Sequence, residues 1–127
     1  MASPDELPTF GSPTPMDHRI KEATSLLEMD SGQKLRPVDL ARQLGLSVSR
    51  LQHLFKQGLG ITIVEYQRRL RLDRACNLLE TTLLSVKQVA AQVGARDTSH
   101  FIRDFTKYKG LSPRRYRVNF VTDRTAQ

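Results

Sequence analysis

The chain has 127 residues, 39% of them hydrophobic and none of them Trp, and 20 Lys and Arg against 13 Asp and Glu give a net charge of +7. A single cysteine excludes an intramolecular disulfide framework and fits a reducing compartment, and the apolar runs fall far short of the roughly 20 residues a membrane span needs. With no apolar block behind Met1 to act as a secretory signal, the composition describes a soluble, basic protein expected in the cytoplasm.

The charge is unevenly placed. Residues 1–16 carry −2, residues 17–60 carry +2 and residues 61–80 carry +1, while residues 81–127 hold nine bases against three acids. A basic C-terminal half suits a polyanionic partner, nucleic acid before membrane, although many small domains are basic for solubility alone. Residues 1–16 contain four of the six prolines and read as a flexible Pro-rich tail or linker. Asp17 is then a plausible N-cap for a helix with Ile20, Ala23, Leu26 and Leu27 at helical spacing, stopped by Asp30-Ser31-Gly32. No segment alternates apolar and polar residues as a strand would, so the chain is expected to be all-α.

An internal repeat organises the remainder. Leu40-Ala-Arg-Gln-Leu-Gly45 is matched by Val89-Ala-Ala-Gln-Val-Gly94, and an offset of 50 then places Leu51 on Phe101, Phe55 on Phe105, Gly60 on Gly110 and Tyr66 on Tyr116. The offset before the turn is 49, so the second turn holds one extra residue. In the first copy Pro37 opens a helix whose Leu40, Ala41 and Leu44 line one face, Gly45 reverses the chain, and Ser47 caps a helix with Leu51, Leu54 and Phe55 inward. The second copy repeats this with a Ser85…Gln88 capping box, Gly94 and an Asp97 cap. Two short helices about a glycine turn are a helix-turn-helix. The pattern predicts a first such subdomain over 17–61, a connecting helix over 62–80, a second subdomain over 81–120 and a C-terminal tail over 121–127. Thr62 and Glu65 suggest a capping box at the start of the connecting helix, and Ser112 with Pro113 suggests a last short helix. A connecting helix of about 18 residues is about 27 Å long, a span that with turns and helix widths could set two reading helices one DNA turn apart.

The second helix of each copy presents a polar face opposite its apolar one. Ser49, Gln52, His53 and Lys56, flanked by Arg50, form it in the first copy, and Ser99, Ile102, Arg103 and Thr106, with Thr98 and His100, in the second. Gln suits adenine, Arg suits guanine, and an aliphatic group suits the thymine methyl. Taken singly, each of these residues could belong to an ordinary solvated face. Ile102 is the most pointed of them, because an aliphatic side chain on an outer face asks for a partner. Phosphate contacts are expected from the helix starts at Thr62, Ser85 and Ser112 and from the bases Lys107, Lys109, Arg114, Arg115 and Arg117. Arg68, Arg69, Arg71 and Arg74 on the connecting helix are further candidates, with Arg71 assigned to an ion pair with Asp73, Glu65 or another acid. His18, His53 and His100 show no metal-ligand spacing, no phosphate-binding Gly loop or carboxylate pair appears, and Cys76 lies on the apolar side of its helix. Neither a cofactor nor an enzymatic activity is expected.

Residues 17–120 resemble the DNA-binding domain of AraC/XylS-family transcription regulators. The likeness rests most on Phe101-Ile-Arg-Asp-Phe105 and Gly110-Leu-Ser-Pro113…Tyr116-Arg117, and in the first half on Leu40-Ala41…Gly45-Leu-Ser47…Leu51…Leu54-Phe55-Lys56…Gly60 and Arg71-Leu72…Ala75…Leu78-Leu79. The resemblance implies about seven helices in two small, homeodomain-like helix-turn-helix subdomains, with two recognition helices entering adjacent major grooves of double-stranded DNA. It implies a monomer covering an asymmetric site, an activator's contact with RNA polymerase, and base-reading by Ser49, Gln52, His53, Ser99, His100, Ile102 and Arg103. Phosphate contacts are then expected at Arg50, Lys56, Thr62, Ser85, Arg96, Thr98, Lys107, Lys109, Ser112, Arg114 and Arg115. Ala95 departs from the pattern, standing where the family usually has an aromatic residue. Family members usually carry an effector-binding and dimerisation domain as well, so the Pro-rich head reads as a linker in a longer parent, the alternative being a stand-alone regulator. Two further readings stay open: a non-specific architectural DNA-binding protein using only the basic surface, and a cysteine-based repair module, which would need Cys76 exposed.

Overall fold

The computed structural model describes residues 17–30 and 34–126, with side chains as far as Val121. The Pro-rich segment 1–16 and the Ser31-Gly32 stop lie outside the described residues. Those described form an all-α chain of seven helices: α1 (His18–Asp30), α2 (Pro37–Leu44), α3 (Val48–Leu59), α4 (Ile63–Thr81), α5 (Val86–Gln92), α6 (Thr98–Lys109) and α7 (Pro113–Ala126). They divide into two compact units, the first holding α1 as far as Met29, α2, α3 and Ile63, the second holding α4 from Val64, α5, α6 and α7.

Local chemistry sets most of the boundaries. Asp17 accepts the Arg19 amide at 2.8 Å and opens α1. Pro37 sits in the first turn of α2, where its missing N–H costs nothing, and the Asp39 carboxylate reaches back to the Arg36 amide at 3.2 Å. Ser47 caps α3 through the Arg50 amide, Asp97 caps α6 through the Ser99 and His100 amides, and Ser85 and Gln88 cap α5 reciprocally. Each such cap contributes about 1 kcal/mol. The two helix-turn-helix turns close identically. The Leu46 amide donates to the Ala41 carbonyl and Gly45 to Arg42, while Ala95 donates to Ala90 and Gly94 to Ala91. This is the Schellman pattern, which requires a left-handed residue after the helix, and Gly45 and Gly94 supply it at φ +71° and +84°.

In the first unit Ile20, Ala23 and Leu27 of α1, Leu40 and Ala41 of α2, Leu51, Leu54 and Phe55 of α3, and Ile63 are buried. In the second, Leu72, Ala75, Cys76 and Leu79 of α4 form one core with Val89, Ala90, Val93, Phe101 and Phe105. Tyr116 of α7 meets Phe105 edge-on, with ring centroids 5.5 Å apart, an arrangement worth about 0.5–1.5 kcal/mol beyond its area. Three polar contacts tie α4 to later helices: Tyr108 donates to Asp73 at 2.7 Å, Tyr116 donates to Glu80, and Arg117 donates to the carbonyls of Leu79 and Thr82 at 3.0 and 3.1 Å. The last satisfies carbonyls that the end of α4 would otherwise leave open.

Two expectations about the C-terminal region need correction. The last helix is not short, and residues 121–127 do not begin a tail, because α7 runs 14 residues to Ala126. No glycine or proline follows Pro113, so nothing in the backbone stops the helix once Ser112 has started it.

Candidate nucleic-acid interface

The second helix of each turn carries its exposed residues on the side away from its core. On α3, Leu51, Leu54 and Phe55 are buried, while Ser49, Arg50, Gln52, His53 and Lys56 are exposed. On α6, Phe101 and Phe105 are buried, while Ser99, His100, Arg103, Thr106 and Lys107 are exposed. The structure therefore brings together on each helix the polar set that the spacing picked out. Gln52 and Arg103 have the reach and the paired donors or acceptors that bidentate base contacts need.

Ile102 behaves differently from its expectation. It is half-buried and packs against the second core beside Phe101 and Phe105. Its place on the outer face is the rim of the apolar stripe, so its aliphatic character has a packing explanation and is not by itself a sign of a partner. His100 has a neighbour the spacing analysis passed over: Nδ1 lies 3.7 Å from Asp104 Oδ2, an ion pair while the imidazole is protonated. The i,i+4 spacing was the signal that could have found it.

Among the helix-start hydroxyls, Ser85 Oγ accepts the Gln88 amide and Ser112 Oγ accepts the Arg115 amide, at 3.1 and 3.2 Å. A capping hydroxyl uses its lone pair inward and keeps its proton, so each can still donate to an outside oxygen. Thr62 is exposed and Thr98 half-buried at the starts of α4 and α6. Arg96, Arg114 and Arg115 are exposed. Lys109 is exposed too, but its ammonium sits 5.7 Å from the ring centroids of both Tyr108 and Tyr116. Cation–π attraction of about 0.5–1 kcal/mol holds it there. Arg117 serves the carbonyls of α4, a structural duty that the basic cluster in the sequence does not reveal.

The arginines of α4 are less available than their number suggests. Glu65 takes Arg68 at 2.8 Å and Arg69 at 3.1 Å, and the Arg68 guanidinium holds the Glu65 carboxyl below the usual carboxylate range. Arg71, expected in an ion pair with an acid, is half-buried, with the Asp104 charge acting on it. Arg74 is half-buried, and its Nε is enclosed with no hydrogen-bond partner. Cys76 is buried and its thiol pKa is pushed up by burial, so the exposed nucleophile that a repair module needs is not there.

Two glycine-turned helix pairs, each displaying base-reading residue types on the second helix, define the helix-turn-helix class of DNA-binding domain. A helix-turn-helix domain family model matches residues 40–119, and the chain belongs to this family in its AraC-type form. It is 38% identical over 107 residues to the arabinose operon regulatory protein of Escherichia coli K12, covering 82% of this chain and 36% of that protein. It is 34% identical over 103 residues to the transcriptional activator RhaR of Mannheimia succiniciproducens, covering 81% and 37% respectively. A crystal structure of a transcriptional regulator of the AraC-type DNA-binding class from Chromobacterium violaceum superposes with a TM-score of 0.76 at 33% identity, covering 80% of this chain and 91% of that one. The chain thus spans little more than a third of the curated relatives it matches.

Proposed function

We propose that this chain recognises a specific double-stranded DNA sequence as the reading domain of a transcription activator, placing α3 and α6 in adjacent major grooves. The observation that carries this reading is the duplication. Two turns with identical hydrogen bonding each end in a capped 12-residue helix with an apolar inner face and a polar outer one. A merely basic surface would need no such repetition. Ser49, Gln52 and His53 on α3, and Ser99, His100 and Arg103 on α6, are the base-reading set. Ile102 contributes from the rim through whatever part of it stays exposed. Arg50, Lys56, Arg96, Lys107, Arg114 and Arg115 supply phosphate contacts, joined by donors at Thr62, Ser85, Thr98 and Ser112. Lys109 joins them only by leaving its two tyrosine rings. The activator reading rests on the relative that bears the activator name, and the contact with RNA polymerase on the family resemblance alone.

Selection of duplexes from a random pool by the purified chain tests the proposal. An enriched motif in two parts about one helical turn apart supports it. A pool that stays unenriched although DNA is retained would replace it with the architectural reading.

A further inference from the structure

The reading helix of the second unit carries an acid among its bases. Asp104 follows Arg103 and precedes Lys107 on α6, where phosphates would repel a carboxylate. At the repeat offset of 50 it takes the place of Leu54, which is buried, and His100 takes the place of the exposed Arg50. The second copy thus sets an acid on a flank that the first copy turns inward, and the Asp104 side chain is only 30% exposed.

The surroundings of this carboxylate give it two duties. Toward α4, its charge acts on both Arg68 and Arg71 and is balanced within the unit. Along α6, one turn back, its Oδ2 stands 3.7 Å from Nδ1 of His100, whose side chain is 64% exposed. A carboxylate has no proton to give, so it favours a proton on the ring nitrogen beside it. In a neutral imidazole the other nitrogen, Nε2, is then an acceptor. A histidine without such a neighbour offers either nitrogen in either tautomer, and so meets donors and acceptors alike.

We propose that Asp104 is a positioning residue for base recognition, holding the His100 ring with Nδ1–H toward itself so that Nε2 accepts from an exocyclic amino group. This inference rests on the DNA-binding reading above and goes beyond it by naming the base edge. In the major groove adenine donates through N6 and cytosine through N4, whereas guanine and thymine present acceptors. An acceptor at Nε2 therefore selects adenine or cytosine and meets lone pairs on the other two bases.

Two measurements test it. The first needs no DNA: the ring-nitrogen shifts of the 15N-labelled chain, at a pH where they report a neutral imidazole. The expected signature at His100 is a protonated Nδ1 and a bare Nε2, and a ring protonated at Nε2 overturns the proposal. Asp104→Asn, whose amide donates as well as accepts, is expected to lose this bias. Asp104→Glu, which still only accepts, is expected to restore it, both variants keeping the parent's circular dichroism. The second measurement, at the same pH, takes the duplex enriched from the random pool and varies each base pair in the half where Arg103→Ala relaxes preference. At the position where His100→Ala loses discrimination, the parent is expected to favour adenine or cytosine about tenfold over guanine or thymine. Asp104→Asn removes that preference and Asp104→Glu keeps it, while the preference set by Arg103 stands in both. Preference for guanine or thymine at that position, unchanged ring shifts or base preference in folded Asp104→Asn, or no position affected by His100→Ala would each overturn the proposal. A pool that yields no motif overturns the base preference together with the DNA reading. The ring shifts, read without DNA, then show separately whether the carboxylate orients the imidazole.

Discussion

Replacing Gly94 by valine isolates the backbone requirement of the second turn. Gly94 has φ +84°, and a Cβ placed on it meets nothing within 4 Å. No steric neighbour contributes, so the cost comes from holding an L-residue in the left-handed region. That cost is about 1–2 kcal/mol for an ordinary side chain and up to about 3 kcal/mol for strained positions of this kind, with β-branching at the upper end. Stiffening of the unfolded chain returns about 0.4–1 kcal/mol. The net expectation is a loss of about 1–2 kcal/mol, a change of about 5–30-fold in the folding equilibrium. Urea denaturation followed by far-UV circular dichroism measures it, with Gly94→Ala and Gly94→Asn as companions. Asparagine tolerates positive φ, so the expected order of cost is Asn, then Ala, then Val. An asparagine variant as unstable as the valine one would refute the argument from φ and point to a lost contact.

Other outcomes follow from the remaining features. Arg103→Ala is expected to cost about 1–3 kcal/mol on the selected duplex and to relax preference at one base, whereas Lys107→Ala lowers the slope of log affinity against log salt by about 1 and leaves preference intact. Quantitative gel shifts over a salt series check both, and equal losses on specific and random DNA would sink the base-reading assignment of Arg103. The carboxyls of Asp17, Asp39 and Glu65 are held below their ordinary values by Arg19, Arg36 and Arg68. The unfolded chain therefore binds protons first as pH falls, and these contributions, complete at neutral pH, vanish as pH drops through the folded values. Denaturation midpoints should fall between neutral pH and about pH 3, less steeply in Arg68→Gln. Native Cys76 should react slowly with iodoacetamide and quickly once urea unfolds the chain; fast alkylation of the native form would contradict its burial.

What the sequence made legible was mostly local. Ser47, Asp97 and the Ser85…Gln88 box announce helix starts because capping needs a short polar side chain at one fixed position, and Gly45 and Gly94 announce turns because positive φ excludes most alternatives. The Glu65 pairs with Arg68 and Arg69 were also readable, at three and four residues along one helix. Arg71 lies six residues beyond Glu65 and so on a different side of α4, where the Asp104 charge acts on it. Contacts between helices left no comparable trace. Lys109 over two tyrosine rings, Tyr108 with Asp73, and Arg117 with the end of α4 depend on how α4, α6 and α7 pack. Ile102 shows the limit for the site itself. A wheel assigns a residue to an inner or outer face, but a rim position is settled only by the width of the neighbouring core.

The reach of Arg117 back to the carbonyls of Leu79 and Thr82 bears on how the chain emerges during synthesis. The first unit ends at Ile63, so its buried residues are all made before α5, α6 and α7. The second cannot finish its connecting helix until the final helix has left the ribosome. Nascent chains stalled after Gly110 should therefore resist protease in the first unit while the second is still cut. Translation thus delivers the two halves of a duplicated design on different schedules, the earlier one before α5, α6 and α7 exist and the later one as a segment waiting for its last contact.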